Sequence, residues 1–599
     1  MKKGKQDKRR IGKGILLIAL AGCLSGCGST TEETSEAEVV KEQGTWLNES
    51  LRYETTNTLP ISDNDSLYKL DEDLEVVTMY LTVQQGSESD GTNHTWKEVN
   101  ENSAYYYDEL GIERYKVDAI LQVGNENGPV FGEFGYGSLI PNATVSIRGQ
   151  TSTSWKQKNY KIKIGDGKGS YKNQTTINLN KHMGEGLRFR NKLCYDLMEE
   201  LPDMMSARTQ FVHLYVKDLT EGEQAEFEDY GLYTQVEQIN KTYLENHGLD
   251  RNGQLYKINF FEFYRYEDVI MPANDVEYNM TDFEKYIEIK GSSDHTKLIA
   301  MLEDLNNDSI PIEETFAKWF DENNVFSWLA FHILVGNKDT QSRNCFLYSP
   351  LNVDKWYFIS WDNDGSFMAA ERQMQGRSDG LAWEKGISNY WGNVLVRKVL
   401  KSEEYRRKLD EKVNEYREIL TEEKIRNMAE GYDAVVKKYI ECMPDILNLP
   451  VTLEQRQQVL ETFPTEVEQN YQAYLQSLQK PQPFFIGVPV IEDESVILTW
   501  DISYSLEEKD ITYTVELDDD YDFAEPLYKE QGIYSPGTEI PLSLEPGKYF
   551  LRIKATDEEG YEQYAFDFYT TDYGKEYGIK CFYVLENGEI VEDTYVEGE

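Results

Sequence analysis

Between residues 70 and 145 apolar and polar positions often alternate, as in Leu74-Glu75-Val76-Val77-Thr78-Met79-Tyr80-Leu81-Thr82-Val83. A side-chain period of two marks half-buried strands, so a β-rich N-terminal region is expected over residues 51–139. Further strands are read at residues 144–149 and 160–164. In the second of these, Tyr160, Ile162 and Ile164 share one face while Lys161 and Lys163 take the other. Residues 185–201 read as a helix, 210–216 and 230–236 as strands, and 241–246 as a short helix. Apolar spacing over 316–335 fits one buried helix. Residues 401–480 read as charged helices with a single apolar stripe through Tyr405, Leu409, Val413, Tyr416 and Leu420. Beyond Pro481-Gln482-Pro483 strands return, with Gly and Pro turns between them. They suggest a fibronectin- or immunoglobulin-like β-sandwich over 481–575, followed by an acidic tail over 576–599. The fold class expected is α+β, and no long internal repeat is visible.

At 599 residues the chain is long enough for about two to four domains. An apolar content of 40% with 13% aromatics excludes wholesale disorder, and 42 tyrosines favour pleated, half-buried surfaces. The first 26 residues stand apart. Lys2, Lys3, Lys5, Lys8, Arg9, Arg10 and Lys13 form a basic head, an apolar run begins at Ile15, and Leu24-Ser25-Gly26-Cys27 reads as a lipoprotein signal. Cys27 is then the lipidated residue, with Leu20-Ala21-Gly22-Cys23 a second match on a shorter apolar core. That run falls well short of the ~20 residues a span needs, so membrane attachment is expected through the lipid only. Residues 27–50 read as a flexible tether.

Removing residues 1–26 takes away seven basic residues and one acidic residue, moving the net charge from −46 to −52. Such a balance argues against nucleic-acid binding, which wants a basic face. It suits a protein displayed outside the cell membrane and a basic protein substrate. The pattern fixes no oligomeric state. Cys194, Cys345, Cys442 and Cys581 have spacings of neither a zinc site nor a disulfide framework. Free thiols are expected, with a Cys194–Cys345 bridge left open.

The candidate chemistry lies in two segments. Asn337-Lys338-Asp339-Thr340-Gln341-Ser342-Arg343-Asn344 places an Asp five residues before an Asn. Lys355-Trp356-Tyr357-Phe358-Ile359-Ser360-Trp361-Asp362-Asn363-Asp364 ends an apolar strand in two Asps. Phosphoryl transfer needs a carboxylate to orient the attacking hydroxyl and oxygen ligands to hold a metal against the phosphates. Asp339 suits the first task, Asn344 and Asp362 the second, with Asp364 a further candidate. The plainer alternative is that these are turn residues. Phosphates also need cations, and Arg148, Lys158, Lys161 and Lys163 follow one another along the strands at 144–164. Any one of these lysines is equally a solvated edge residue. Glu237 could pair with such a lysine, as a kinase glutamate does, or be an ordinary surface residue. Several kinase features are missing. Gly132-Glu133-Phe134-Gly135-Tyr136-Gly137 has the wrong spacing for a phosphate loop and reads as a turn. Asn337-Lys338 stands where His-Arg is expected, and no Phe-Gly follows Asp362. This is not an ordinary protein kinase.

Arg148-Gly149 with Ser154-Trp155, then Lys158-Asn159-Tyr160-Lys161-Ile162-Lys163, resembles the opening motif of the spore-coat protein H (CotH) kinase family. Tyr215-Val216 leading to Gly231-Leu232-Tyr233-Thr234 and Glu237-Gln238 is similar to that family too. So are Gln254-Leu255-Tyr256-Lys257 and the Asp339–Asn344 and Trp361–Asp364 segments. The resemblance implies an atypical protein-kinase-like core, placed here at 140–480, that uses ATP with magnesium or manganese and phosphorylates Ser or Thr of other proteins. It matches Asp339 to the catalytic Asp and Asp362 to the magnesium-binding Asp, with Asn344 as a second ligand. Lys158 or Lys161 then holds the phosphates. Trp356, flanking the metal strand, is a candidate to stack on adenine, or else a core tryptophan. His332 is expected to be structural. An alternative function is a surface adhesin or scaffold using the same fold without catalysis, although it leaves the complete acidic set unexplained. A third is carbohydrate binding by the sandwich through Trp500, Tyr513 and Tyr549.

Overall fold

Eight short strands carry the alternating pattern of the first half of the chain: β1 (Val76–Gln84), β2 (Lys116–Asn125), β3 (Gly128–Pro129), β4 (Ala143–Arg148), β5 (Asn159–Ile164), β6 (Thr176–Asn180), β7 (Thr209–Asp218) and β8 (Glu228–Glu237). The computed structural model describes residues 63–593 apart from 65, 223, 378–381, 493–494 and 572–573, so Cys23, Cys27 and the 27–50 tether lie outside the described residues. The strands run in the order β1-β7-β8-β6-β5-β4-β2, and β2 pairs back onto β1, closing a seven-stranded barrel with β3 attached to β2. Only β1 and β7 pair in parallel. Closure leaves these seven strands no free edge. The interior is filled by Met79, Leu81, Leu121, Val145, Ile147, Ile162, Ile177, Leu179 and Leu214, with Trp96 and Val99 of helix α1 (Trp96–Glu101) and Tyr107 of α2 (Ala104–Leu110). On β5 the period of two holds: Tyr160, Ile162 and Ile164 are buried, and Lys161 and Lys163 are exposed. The N-terminal region expected as separate is therefore part of the barrel. Its strand β1 finds β7 more than a hundred residues away, and local alternation carries no record of that partner.

A second, larger core packs beside the barrel. Helix α3 (Arg190–Glu199) is shorter than the 185–201 expected, because the preceding loop turns through left-handed backbone at His182 and Arg188. Helix α4 (Lys241–Asn246) is capped by the Asn240 side chain. A four-stranded sheet follows, built from β9 (Gln254–Ile258), β10 (Ile287–Ile289), β11 (Cys345–Ser349) and β12 (Tyr357–Ser360) in the order β10-β9-β11-β12. Helices α5 (Met280–Tyr286), α6 (Thr296–Asn306), α7 (Ile312–Trp319) and α8 (Glu322–Val335) surround it. The single helix expected over 316–335 is two. Phe320 is extended, and the Asp321 carboxylate accepts the Asn324 N–H at 2.9 Å, capping α8 afresh. As expected, α8 is buried all round, from Asn324 to Val335.

Helices α9 (Ala369–Met374), α10 (Val394–Lys401), α11 (Glu403–Ile419), α12 (Glu422–Ile440), α13 (Leu453–Thr462) and α14 (Glu466–Gln479) complete this part. The stripe Tyr405, Leu409, Val413, Tyr416 and Leu420 is buried in its core.

After residue 483 two sheets enclose a separate core. One holds Val490–Glu492, Ser495–Thr499 and Gly537–Ile540, and the other holds Ile511–Asp518, Tyr528–Ile533, Gly547–Asp557, Ile579–Val584 and Ile590–Glu592. The expected tail over 576–599 is corrected up to residue 593. Phe582 and Val584 point into this core, so their segment is a strand of the sheet. Trp500, Tyr513 and Tyr549 are buried in the same core, which removes them as an exposed sugar-binding platform. Helices and sheets are segregated along the chain, and the fold class is α+β. All four described cysteines are free, Cys442 exposed and the others buried. No helix among the described residues is long and apolar enough to cross a membrane.

Candidate active site

The buried helix α8 delivers the first acidic segment. It ends at Gly336, whose φ of +66° and whose missing Cβ, 2.7 Å from Asn470 Nδ2, leave room only for glycine. Asn337 follows and is buried. Its Oδ1 accepts the Asp339 N–H at 3.4 Å and its Nδ2 donates to the Asp362 carbonyl at 3.4 Å. One amide side chain thus joins the two acidic segments. Asp339 sits in a single 3-10 turn with its side chain 55% exposed, and Arg343 Nη2 donates to its Oδ1 at 3.2 Å. The other oxygen, Oδ2, lies 3.9 Å from where a Cβ on Gly365 would stand. Asn344 is left-handed, φ +58°, and its carbonyl accepts the Trp361 N–H at 3.1 Å, which sets it one residue from Asp362 across the β11–β12 ladder.

Asp362 is also left-handed, φ +57°, a conformation costly for a residue with a Cβ and often found at functional sites. Helix α3 holds this turn from above. Tyr195 Oη accepts the Asp362 N–H at 3.2 Å and Asn191 Oδ1 accepts the Asn363 N–H at 3.0 Å. From below, Ser360 Oγ donates to Asn363 Oδ1 at 3.0 Å and meets His332 Nε2 at 3.1 Å. Burial drives His332 down to about 3, so its ring is neutral and structural, as expected.

The charges here are unbalanced. Burial raises the Asp362 carboxyl and Asp339 adds to this, while Arg148, Lys257 and Arg343 oppose it. Asp364 is raised well above the ordinary range, by the charge of Asp362 first, then by burial, Glu185 and Asp339. Arg148, at the end of β4, is lowered by burial and supported by Asp362, Tyr195 and Asp364, and its Cζ lies 5.6 Å from the Trp361 ring. Glu185 is buried too. Its pKa is pushed up to about 7 by burial despite Arg190 at 3.1 Å, and its Oε1 has no hydrogen-bond partner.

A half-buried carboxyl raised by the charge of its neighbour, as Asp364 is by Asp362, is what a divalent cation relieves. Among the described residues no three His, Cys, Asp or Glu side chains form a preformed cage. Magnesium does not need one, since it takes one or two carboxylates and completes its shell with phosphate and water. Asp362 and Asp364, with Asn344 facing Trp361 across the hairpin, fit that requirement.

The remaining candidates divide. Lys161 projects from the outer face of β5 toward Arg148, and burial, Lys290, Arg148 and Lys163 all lower its ammonium. Lys158 is engaged elsewhere, donating to the Thr153 carbonyl at 2.6 Å across the β4–β5 loop.

Glu237 does not pair with a lysine. It is 1% exposed, its Oε2 meets His247 Nε2 at 3.0 Å and its Oε1 accepts Asn246 Nδ2 at 3.3 Å. Strand register explains the miss. Asn178 lies opposite both Lys161 and Val236, so Lys161 shares a face with Val236, and Glu237 points the other way. Trp356 is not an adenine platform. It is 0% exposed, its backbone N–H donates to the Trp319 carbonyl at 2.7 Å, and its ring packs 6.1 Å from Tyr256.

Residues that were not anticipated include Asn337, Asn191, Tyr195, Glu185, Arg343 and Lys257. Asn337, Arg343 and Lys257 lie inside motifs already singled out, whereas Asn191 and Tyr195 show only an i, i+4 spacing on a helix. On β9, Lys257 pairs with Glu288 at 3.5 Å. Burial raises Glu288, but Lys257 and Lys290 outweigh it and bring the carboxyl down to about 2.

With this geometry in place, the model of the family described as CotH kinase protein matches residues 145–474, more than half of the chain. The chain belongs to the CotH kinase family. Asn337, Asp339, Asn344, Asp362 and Arg148 all fall within the CotH match. No curated protein matches the chain. Among solved structures, the chain matches the twitchin kinase region from C. elegans at 21% identity, with 16% of this chain and 19% of that one covered. The TM-score is 0.12, so this likeness carries no argument about fold, and the chain spans about a fifth of that protein's length.

Proposed function

We propose that the chain is an atypical ATP-dependent protein kinase, transferring the γ-phosphate to Ser or Thr of extracytoplasmic proteins and tethered to the membrane by lipid on Cys27. One observation carries this reading: Asn337 binds the Asp339 turn to the Asp362 turn, gathering Asp339, Asn344, Asp362 and Asp364 at one place that faces Arg148. Element order supports a kinase-like core. A kinase covers its phosphates with the loop joining two strands, carries a lysine on the third and follows it with a helix. β4, β5, β6 and α3 come in the order strand, strand, strand, helix, with β7 and β8 in the same sheet as the three strands, but β6 carries no lysine and Lys161 stands on β5 instead. The β4–β5 loop is stiffened by Lys158 on the Thr153 carbonyl and Asn159 on Ser152 Oγ, in place of glycines.

In this reading Arg343 fixes one oxygen of Asp339 and leaves the other to accept the proton of the incoming hydroxyl. Arg148 and Lys161 bind phosphate oxygens. Asp362, Asp364 and Asn344 would hold the divalent cation, which when bound neutralises charge on the phosphates. Tyr195 and Asn191 keep the Asp362 turn in its left-handed shape, so the carboxylate is oriented before substrate arrives.

The test is transfer of labelled phosphate from ATP and magnesium to a Ser-rich protein. Asp339→Ala is expected to lose about 10²–10⁴-fold in kcat, the usual worth of a positioned base, and to keep nucleotide affinity. Equal labelling by wild type and Asp339→Ala would overturn the proposal. Wild type with neither nucleotide binding nor transfer would favour a non-catalytic surface scaffold.

A further inference from the structure

The family match ends at residue 474, yet the β-sandwich beyond it reaches the catalytic turn through a strap at residues 383–393. On its inner side the strap touches Lys338, Thr340 and Gln341, the residues that flank Asp339. Glu384 pairs with Lys338 Nζ at 3.8 Å, and Asn389 Nδ2 donates to the Lys338 carbonyl at 3.2 Å. The Tyr390 hydroxyl meets Thr340 Oγ1 at 2.8 Å, and Asn393 Nδ2 donates to the Gln341 carbonyl at 2.9 Å. On its outer side the strap is held by the sandwich. Trp383 packs edge-on against Phe566 (5.0 Å) and Tyr577 (5.6 Å), and Trp391 stacks on Tyr504 (5.6 Å). Tyr577 Oη donates to Glu384 Oε1 at 3.0 Å, and Ser388 Oγ donates to Gln482 Oε1 at 3.0 Å. At Gly386, φ +59°, a Cβ would lie 2.2 Å from Ser477 Oγ, so the strap lies flat against the end of α14.

Glu384 is the shortest route between the two sides. One of its oxygens takes the Tyr577 hydroxyl and the other faces Lys338, the residue before Asp339. A turn of three residues has no hydrogen-bond ladder of its own, so its shape is set by what packs on it. Part of that packing, besides Asn337 and Arg343, is the strap, and the strap is backed by aromatic rings of the sandwich.

We infer that the β-sandwich is a built-in brace for the catalytic turn, with Trp383, Glu384 and Tyr577 as positioning residues, so that phosphoryl transfer at Asp339 requires the sandwich in the same chain. The inference rests on the reading of Asp339 as the catalytic base. It assigns the sandwich a part in the reaction instead of a separate binding task.

The full chain is tested with Tyr577→Phe, which removes one hydroxyl, Gln482→Ala, and the pair Trp383→Ala and Trp383→Phe. Amide hydrogen exchange at residues 338–341 is expected to quicken about tenfold in Tyr577→Phe and Trp383→Ala. Their kcat should fall about tenfold or more, as for other small displacements of a catalytic group. Affinity for ADP should move less than twofold, because Arg148 lies at the end of β4 and the Asp362 turn is held by Tyr195, Asn191 and Asn337, not by the strap residues changed here. Trp383→Phe, which keeps a ring against Phe566, should recover most of the rate. Exchange at 338–341 within twofold of wild type in Tyr577→Phe, Gln482→Ala and Trp383→Ala overturns the brace. So does a fall in kcat without faster exchange. If Trp383→Ala unfolds the sandwich, Tyr577→Phe and Gln482→Ala decide the matter. If wild type transfers no phosphate, the kinase reading fails, and the exchange arm still judges the brace.

Discussion

Glu237→Gln separates two roles that one glutamate could play. In the structure Glu237 and Asp63 both hold His247, with Oε2 to Nε2 at 3.0 Å and Oδ1 to Nδ1 at 2.6 Å, clasping the segment that enters the barrel. Burial lowers the imidazole, but the two hydrogen-bonded carboxylates outweigh it and bring His247 up to about 9 from 6.5. A shift of that size is worth about 3 kcal/mol at 1.36 kcal/mol per pKa unit. Because the folded value is raised, this stability is fully present below pH 6.5 and is lost as pH rises through about 9. Glu237→Gln removes one of two similar bonds, so the variant should be about 1–2 kcal/mol less stable at pH 6 to 7. The gap should close by pH 10, where the imidazole is neutral in both proteins. Chemical denaturation of the full chain at pH 6, 7 and 10 measures this, alongside ADP affinity and phosphate transfer at pH 7. The two functional readings should stay within twofold of wild type. A variant of unchanged stability that loses nucleotide affinity would refute the argument and restore Glu237 as a partner of a phosphate-binding lysine. So would an equal loss of stability at pH 7 and pH 10.

Trp356→Ala should cost about 3–5 kcal/mol, as for other fully buried aromatic truncations, and leave the preference for ATP over GTP unaltered. A changed nucleotide preference at unchanged stability would place the ring at the base after all. Asp362→Asn should abolish stabilisation by magnesium, which for a single site at ten times its dissociation constant is about 1.4 kcal/mol in wild type. Thermal denaturation with and without magnesium and ADP reads this directly, and an undiminished magnesium effect in the variant would remove Asp362 as a ligand.

Much of the scaffold was legible in the sequence because local periodicity is a local signal. The alternation along β1, β4, β5, β7 and β8 marked their positions, and on β5 it assigned Lys161 and Lys163 to the outer face correctly. Asp339, Asn344 and Asp362 come together because all three sit on a helix end and a hairpin, whose residues are close in the chain and therefore in space. Where the reading failed, the missing information was the partner. Glu237 is a candidate lysine partner only by analogy with a kinase glutamate, and the register through β6 turns it away from Lys161. Trp356 stands beside the strand that leads to Asp362, but the Trp319 backbone and the Tyr256 ring enclose it.

The sequence by itself determined which residues could do the chemistry and which faces of the strands and helices are apolar, since residue type and a period of two or 3.6 are properties of a short stretch. Only the tertiary structure decided that β1 closes the barrel through β7, that Asn337 joins the two acidic turns, and that Glu384 links the sandwich to Lys338. Each of these depends on which distant apolar surface is buried against which other, and burial rewards any well-matched surface without naming it in the chain.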